Sequence, residues 1–366
     1  MILMNDFNAE PSLLKENMLA SVSRVIESGW YVLGQELLSL ERSWADLCGV
    51  SFATGVGNGM DAIEIILRSL DIGPGDEVIT TPMTAFATVL AILRSGATPV
   101  LADIDPQTAL LNYESVERCI SSKTKAVILV HLYGQIRDIE VWTDFCDREN
   151  IYLIEDCAQA HLAKSHGQAA GSFGRAGAFS FYPTKNLGAL GDGGMLTTSD
   201  SQLAERSSRL RNYGQSVRYH HSDIGLNSRL DEIQAAILQE RLKWLPEFTR
   251  RRQEIASRYQ QNITNPIIHK LSDPQEPDAH VFHLYVITCD YREKLHDYMK
   301  TCGVQTIFHY PVPIHHQEPC HDISCDPNGL LVSEYHASSC ISLPCHPQMS
   351  DLDVDFVIES INRFVA

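Results

Sequence analysis

The sequence predicts an α/β fold with a mostly parallel sheet flanked by helices, followed by a smaller α/β C-terminal domain. Short apolar, β-branched runs alternate along the chain with segments whose apolar residues recur at helical spacing. The short runs are apolar throughout, which is typical of parallel strands covered on both faces. This alternation changes near residue 246, where Pro246 and an arginine-rich segment follow a long amphipathic helix.

The predicted elements follow one another in a regular order. The strands share uninterrupted apolar character and lie at residues 77–81, 98–102, 125–130, 151–155, 177–182 and 194–198. The helices between them share apolar residues at helical spacing and lie at residues 61–70, 85–95, 139–150 and 201–210. A longer amphipathic helix is predicted over residues 230–244. Together these elements describe one sheet with helices on each side.

The change from an amphipathic helix to Pro246 and an arginine-rich segment predicts a domain boundary at residue 246. We therefore expect a large domain over residues 1–246 and a small domain over residues 247–366. The small domain is predicted to contain a polar helix to residue 262, a loop at 264–278, a strand at 280–289 and a helix at 291–302. A chain of 366 residues is long enough to bury a core in each domain.

Composition and charge exclude several classes of function. The 46 acidic residues outnumber the 29 Lys and Arg, and the net charge of −17 repels phosphate backbones and anionic membranes. No apolar run approaches the roughly 20 residues of a membrane span. The N-terminus carries Asp6 and Glu10 and lacks the basic region of a secretory signal. We expect a cytoplasmic protein with no nucleic-acid or membrane partner.

The cysteines and histidines do not form a metal-binding frame in the sequence. The ten Cys are scattered without C-x-x-C spacing, and we expect reduced, mostly buried thiols. Histidine doublets occur at residues 220–221 and 315–316, and no accompanying ligand motif marks either one. The sequence therefore predicts no metal site.

A glycine-rich segment at residues 55–59 ends a strand and opens a helix. Glycines let the backbone approach an anion, and the unpaired N–H groups of a first helical turn bind phosphate. A dinucleotide fingerprint does not fit, because the third glycine falls one position early. Taken alone, the segment is equally consistent with a tight turn that has no ligand.

Two charged residues follow predicted strands near the middle of the chain. Asp156 follows a buried strand at the edge where open α/β sheets bind ligands, and its carboxylate needs a cationic partner there. Lys185 lies beyond the strand at 177–182 in a loop dense with glycine. A partly desolvated amine with a lowered pKa acts as a nucleophile toward a carbonyl, although a solvated lysine after a strand is the commoner case.

The order of these three signals resembles the fold-type I pyridoxal-phosphate enzymes. The residues within these motifs are more similar still to those of the sugar aminotransferases of the DegT/DnrJ/EryC1/StrS family. The matching segments appear in the family's order and lie at residues 28–34, 73–78, 131–135, 225–236 and 342–347. The resemblance covers nearly the whole chain and implies pyridoxal 5'-phosphate (PLP) as the cofactor.

The resemblance also assigns the catalytic residues. Lys185 would hold the cofactor as a Schiff base and then move protons between substrate carbon and cofactor. Asp156 would pair with the pyridine nitrogen and keep it protonated, which makes the ring an electron sink. Gln159 would lie against the ring near its phenolic oxygen.

The cofactor phosphate is assigned to residues from both subunits of a homodimer. Ser180 and the amide groups of Gly59 and Met60 would bind it within one chain, and Asn227 would reach it from the partner subunit. Many family members have a hydroxyl residue at the position of Met60. Phosphate binding here must therefore rest more on backbone N–H groups and Ser180.

Three further assignments each have a structural interpretation beside the functional one. Many members place an aromatic residue over the ring at the position of Ala85, and here Phe86 either takes that role or belongs to the core. The segment at 309–315 resembles a stretch near the sugar nucleotide, so Tyr310 and His315 are substrate contacts or parts of a structural turn. His161 resembles a residue near the active site, and a polar side chain satisfied at a strand-to-loop junction explains it nearly as well.

The resemblance implies a transaminase that moves an amino group from glutamate to the ketone of a nucleotide-linked sugar. The loop at 185–194 differs from the K-x-I-T-T-G-E-G-G wording common among 4-aminotransferases and resembles members that act on thymidine-diphosphate-linked 3-keto-6-deoxyhexoses. The alternatives are a 4-keto sugar nucleotide, a keto-cyclitol, a sugar dehydratase, which Lys185 disfavours because such members carry His there, and a non-catalytic PLP-binding regulator.

Overall fold

The computed structural model describes residues 1–366. The strands are β1 Phe52–Val56, β2 Glu77–Thr80, β3 Thr98–Leu101, β4 Thr124–Val130, β5 Tyr152–Asp156, β6 Lys164–Ser165, β7 Gln168–Ala169, β8 Ala176–Ser180, β9 Gly194–Thr198, β10 Gln215–Val217, β11 His220–His221, β12 His269–Lys270, β13 Tyr285–Thr288, β14 Ser324–Cys325 and β15 Cys340–Leu343. The helices are α1 Ser12–Ser28, α2 Gln35–Cys48, α3 Gly59–Ser69, α4 Phe86–Ser95, α5 Tyr113–Cys119, α6 Ile139–Glu149, α7 Ser201–Leu210, α8 Glu232–Leu242, α9 Leu245–Asn262, α10 Arg292–Thr301, α11 Leu331–Ser339 and α12 Asp351–Arg363.

Eight strands form the central sheet in the order β1-β9-β8-β5-β4-β2-β3-β14. Strand β9 runs antiparallel to both of its neighbours, β1 and β8. All other neighbouring pairs in this sheet are parallel. The predicted α/β fold with a mostly parallel sheet is therefore confirmed.

Strand β4 shows why the predicted strands are apolar throughout. Val127 and Leu129 belong to one hydrophobic cluster, which also contains Trp44 of α2. Ala126 and Ile128 belong to a second cluster, together with apolar residues of α3. Since successive side chains of a strand point to opposite faces, each face of the sheet needs its own apolar set.

The C-terminal part of the chain has a core of its own. Twenty buried residues pack between α9, α10, α12 and the antiparallel sheet β12-β13-β15. The separation is not complete, because β14 pairs with β3 at the edge of the central sheet. The domain boundary at residue 246 stays a prediction, and α9 begins at Leu245 beside it.

The strand predicted over residues 280–289 is shorter in the structure. Only β13, Tyr285–Thr288, pairs with its sheet. The preceding residues pair instead with the loop after β4, where Val281 N–H donates to Gly134 O at 3.0 Å and Leu284 N–H to Tyr133 O at 3.3 Å. This part of the small domain therefore fixes a loop that borders the site described below.

The structure also bears on the predicted state of the thiols and on the predicted lack of a membrane span. All ten Cys are free, and eight of them are buried, as predicted. None of the twelve helices combines the length and the apolar character that a membrane crossing requires.

Candidate active site

The candidate active site lies at the carboxyl ends of the central strands, where parallel sheets bind ligands. Asp156 is the last residue of β5, and Ser180 is the last residue of β8. Lys185 lies in the loop that connects β8 to β9. The topology therefore brings together residues that the sequence analysis identified separately.

Asp156 is held by two hydrogen bonds at the end of β5. Thr88 Oγ1 of α4 donates to Asp156 Oδ2 at 2.8 Å, and Ala158 N–H donates to Oδ1 at 3.1 Å. Thr88 Oγ1 also lies 2.9 Å from Thr84 Oγ1. The carboxylate is only 6% exposed, so these two donors fix its orientation. The sequence analysis did not identify Thr88.

Replacing Thr88 with valine is expected to lower kcat about tenfold, because a hydrogen bond to a charged group contributes about 1.5–3 kcal/mol. Thr88→Ser keeps the hydroxyl and should restore most of the activity. The measurement is kcat across a pH series, since loss of the bond should also shift the pH profile. A Thr88→Val enzyme with unchanged kcat and profile would show that Asp156 is oriented without this hydroxyl.

Lys185 is half-buried, and its Nζ makes no hydrogen bond or ion pair within the chain. Burial lowers the pKa of Lys185 to about 8, while the charge of Asp156 acts in the opposite direction. The neutral form of the amine, which is the nucleophile, is thus far more abundant near physiological pH than in an ordinary lysine, although the protonated form still predominates. The chemistry that the sequence analysis required of Lys185 is available in this environment.

Three histidines surround the amine of Lys185. Burial and the charge of Lys185 lower the pKa of His161 to about 3 and that of His309 to about 4. Burial first, and then Lys185, lowers the pKa of His283 well below its usual value. All three rings are therefore neutral, so they add no positive charge beside Lys185. Neither ring nitrogen of His161 has a hydrogen-bond partner, unlike the satisfied side chain considered in the sequence analysis.

The lowered pKa of Lys185 predicts how the cofactor-free protein takes up PLP. Only the neutral amine attacks a carbonyl, so the rate of covalent uptake should rise as the pH passes through about 8 and then level off. Stopped-flow absorbance of the added cofactor measures this rate. A rate that still climbs toward pH 10.5, the ordinary value for a lysine, would contradict the environment described here.

The glycine-rich turn before α3 meets the end of β8 at close range. A Cβ added at Gly59 would lie 2.8 Å from Ser180 Cβ, and one added at Gly194 would lie 2.3 Å from the carbonyl carbon of Asn58. The Asn58 side chain caps α3 by accepting from Asp61 N–H at 2.8 Å. The first N–H groups of α3 therefore lie beside the Ser180 hydroxyl. Together these groups form a site suited to a phosphate, which we call the phosphate cradle.

Gln159 connects the strand ends to the small domain. Its Oε1 accepts from Tyr133 N–H at 2.6 Å, and its Nε2 donates to Tyr310 Oη at 3.2 Å. Burial raises the pKa of Tyr310 to about 12, and the charge of Asp156 adds to this shift. Tyr310 thus belongs to the same group of side chains as Asp156 and Gln159, and its role as a substrate contact stays a prediction.

The remaining predicted residues lie further from this group. Phe86 packs against a small apolar cluster that includes Val89 and Ile314, which agrees with the core alternative. His315 lies beside Glu334 of α11, with Nε2 and Oε1 3.1 Å apart. The side chain of Met60 lies near Arg94, with Sδ and Nη1 3.9 Å apart, so Met60 offers the cradle its backbone only. These roles stay predictions.

Asn227 lies beside the glycine-rich turn, with its side chain exposed. The next residue, Ser228, is buried, accepts from Gly57 N–H at 2.9 Å and donates to Asp61 Oδ2 at 2.6 Å. The sequence analysis missed Ser228 because a serine in a loop carries no signal of a contact 171 residues away. This serine fixes the segment that presents Asn227.

A comparison with family models gives one match over nearly the whole chain. The model of the DegT/DnrJ/EryC1/StrS aminotransferase family matches residues 12–362. The matched range includes every residue of the site described above.

Curated relatives and solved structures agree with this match. The dTDP-3-amino-3,6-dideoxy-alpha-D-galactopyranose transaminase of Aneurinibacillus thermoaerophilus is 46% identical over 344 residues, covering 94% of each chain. A pleiotropic regulatory protein of Geobacillus stearothermophilus is 39% identical, covering 99% of this chain and 98% of its own. The crystal structure of S. venezuelae DesV in complex with a ketimine intermediate has a TM-score of 0.95 and 37% identity, covering 100% of this chain and 99% of DesV.

Proposed function

The chain belongs to the DegT/DnrJ/EryC1/StrS aminotransferase family, and from this membership we propose a PLP-dependent enzyme that aminates a nucleotide-linked 3-keto-6-deoxyhexose, with glutamate as the amino donor. The observation that carries the proposal is the placement of three groups at one sheet edge. These are the nucleophilic amine of Lys185, the oriented carboxylate of Asp156 and the phosphate cradle at Gly59 and Ser180.

The residues present fit PLP in both charge and space. The cradle at Gly59 has no room for a side chain but has free N–H groups and a hydroxyl for a phosphate. Asp156 is the carboxylate for the pyridine nitrogen, and Lys185 is the amine for the aldehyde. When bound, PLP supplies an electron-withdrawing ring that stabilises negative charge on the substrate carbon next to nitrogen.

The chain's own residues would carry the other steps. Nζ of Lys185, whose pKa burial lowers, would take a proton from the substrate carbon and return one to complete the transfer. Asp156, oriented by Thr88, would keep the ring nitrogen protonated. Gln159 and Tyr310, joined by a hydrogen bond, would border the site on the side of the small domain.

The regiochemistry and the nucleotide rest on two separate supports. The relative from Aneurinibacillus thermoaerophilus is named as a transaminase of a dTDP-3-amino-3,6-dideoxy sugar. The loop at 185–194, with Gly188, Ala189 and Asp192, resembles members that act at C3, although the expectation that its small residues make room for the sugar is not met, since Ala189 packs in the core. A Cβ added at Gly188 would lie 2.3 Å from Pro183 O, so the loop cannot keep this path with a larger residue there.

The test offers the purified enzyme separate 3-keto and 4-keto isomers of one dTDP-6-deoxyhexose, each with glutamate, in short incubations that limit isomerisation. NMR then locates the new amine. Amination of the 3-keto isomer at C3 supports the proposal. Amination confined to C4 would overturn the regiochemistry while leaving the aminotransferase activity in place. Replacing glutamate with aspartate or glutamine in the same assay tests the donor.

One observation favours the regulator as the second candidate, namely that a relative of similar coverage is named as a pleiotropic regulatory protein. A regulator that only holds PLP through Lys185 has no need of the oriented Asp156, whose role is to make the ring an electron sink. The two candidates differ in the half-reaction, because only a transaminase converts glutamate to 2-oxoglutarate on its own cofactor. Absence of that product after incubation of the loaded protein with glutamate would favour the regulator.

Exposed apolar side chains support a homodimer. Trp30 is 63% exposed, Leu190 57% and Ile224 89%, and exposed apolar side chains that lie together mark interaction surfaces. Two of these positions lie around the start of α8, since Leu190 N–H donates to Gln234 Oε1 and Trp30 lies close to Gly34, which Glu232 caps. A second copy of this chain would cover them. The ten free thiols support the cytoplasm as the compartment.

The partner's contribution of Asn227 can be tested by mixing two defective chains. Lys185→Ala removes the amine, and Asn227→Ala weakens cofactor binding. If Asn227 crosses the interface, a mixed dimer regains one intact site, and random mixing should restore about a quarter of wild-type activity at limiting PLP. If Asn227 serves its own chain, mixing restores nothing. Sedimentation velocity of each mixture checks that dimers have formed.

A further inference from the structure

A group of three potential metal ligands lies outside the site described above. It consists of His315, His316 and Glu334, which we call the His–Glu cluster. His315 Nε2 lies 3.1 Å from Glu334 Oε1, and His316 Nε2 lies 3.7 Å from the same oxygen. One ligand atom from each residue lies within 4.8 Å of the other two. Two chain segments therefore converge on one small volume.

These separations suit a tetrahedral ion. With metal–nitrogen and metal–oxygen bonds of about 2.0–2.1 Å, neighbouring ligands of a tetrahedral zinc ion lie about 3.3 Å apart. Both measured distances to Glu334 lie within about 0.4 Å of this value, so small side-chain rotations would suffice. Two imidazoles and one carboxylate form a donor set that zinc uses with its fourth position left open.

The ligand groups are also accessible. The side chain of His315 is 12% exposed and its Nδ1 has no hydrogen-bond partner, whereas Glu334 is 40% and His316 52% exposed. The exposed partners give an ion access from solvent.

A second group, His131, Glu155 and Cys157, has similar residue types but lacks free lone pairs. Glu155 already accepts from His131 and from three backbone N–H groups of the loop at 171–174. Burial raises the pKa of Cys157 well above its usual value, so its thiol stays protonated. The hydrogen-bonding capacity of the Glu155 carboxylate is therefore filled, whereas the Glu334 carboxylate can still bind an ion.

We propose that the His–Glu cluster binds a divalent transition-metal ion of the zinc type, with water at its fourth position. Such an ion would tie the segment of His315 and His316 to α11. Tyr310, five residues before His315, reaches Gln159 in the active site, so the ion would also limit the movement of that segment. The metal site does not rest on the proposed transaminase function.

The test is a Zn²⁺ titration of the chelator-stripped full-length protein, followed by isothermal calorimetry and by the melting temperature. The wild type should bind one Zn²⁺ per chain through this cluster and gain melting temperature. His316→Gln and Glu334→Gln should each weaken this binding at least about tenfold and remove the gain. The double variant His220→Gln/His221→Gln is the matched control, because that exposed doublet belongs to no group of three ligands.

The outcomes separate the cluster from other zinc-binding groups. Every variant keeps Cys302 and Cys325, the two partly exposed thiols, so their contribution cancels. Equal binding by the wild type and by both cluster variants would overturn the proposal, as would loss of binding in the His220/His221 control alone. Circular dichroism without metal confirms that each variant is folded, and PLP uptake shows that the active site is intact.

Discussion

Replacing Lys185 with alanine is expected to lower turnover at least about 1,000-fold, since general acid–base catalysis alone contributes about 10²–10⁴. The residue supplies both the nucleophilic amine and the proton carrier, at a strand end where burial lowers its pKa. The measurement is steady-state turnover with a keto-sugar nucleotide and glutamate, together with borohydride reduction and peptide mapping of the attached cofactor.

Lys164→Ala is the matched control, because Lys164 also follows the β5 region but lies in the short hairpin of β6 and β7. It should keep wild-type turnover. Lys185→Ala should not unfold the protein at neutral pH, since a lysine whose folded pKa is lowered destabilises the fold below about 8 and this effect fades as the pH rises toward 10.5. Cofactor attachment to a different lysine would refute the assignment.

Replacing Asp156 with alanine is expected to reduce turnover about 100-fold while PLP still attaches to Lys185. The loss combines a hydrogen bond to a charged group, about 1.5–3 kcal/mol, with loss of the protonated ring that stabilises the carbanion. Turnover and cofactor content are measured on the same preparation. Activity within about tenfold of wild type would correspond to only about 1.4 kcal/mol and would argue against the role.

Asp156→Asn removes the negative charge of this residue and keeps its size, so it distinguishes the effect of charge from that of shape. The amide can still meet Thr88, but it no longer opposes the loss of charge on Lys185, so the pKa of Lys185 should fall below about 8. The pH at which PLP uptake levels off should therefore move to lower pH in Asp156→Asn. An unchanged uptake profile would mean that the two groups do not interact.

Much of the central sheet could be predicted because each buried strand is a continuous apolar run that can be recognised within its own segment. Alternate residues of β4 enter opposite cores, so the strand has to be apolar on both faces and is recognisable as such. The same holds for Asp156 and Lys185, since a charged residue directly after a buried strand stands out. The resemblance then added roles to residues such as Gln159 that carry no signal by themselves.

The rest of the site depends on contacts between distant segments. Thr88 is an ordinary helix residue until the fold places it 2.8 Å from a carboxylate 68 residues away. The segment at 280–284 alternates like a strand, yet it pairs with the loop around Gly134 instead of extending β13. Glu334 lies 19 residues from His315, so no spacing rule links them. Such contacts follow from topology and cannot be recognised in one segment alone.

The position of β9 between β1 and β8 has a consequence for synthesis on the ribosome. The only partner of β1 in the sheet is β9, which lies about 140 residues later and directly after the Lys185 loop. Until residues 194–198 have emerged, β1 has no neighbour in the sheet, and the start of α3 lacks the contact between Gly194 and Asn58. The phosphate cradle and the lysine loop are therefore completed by the same late strand, so a nascent chain cannot hold the cofactor before its catalytic lysine has been made.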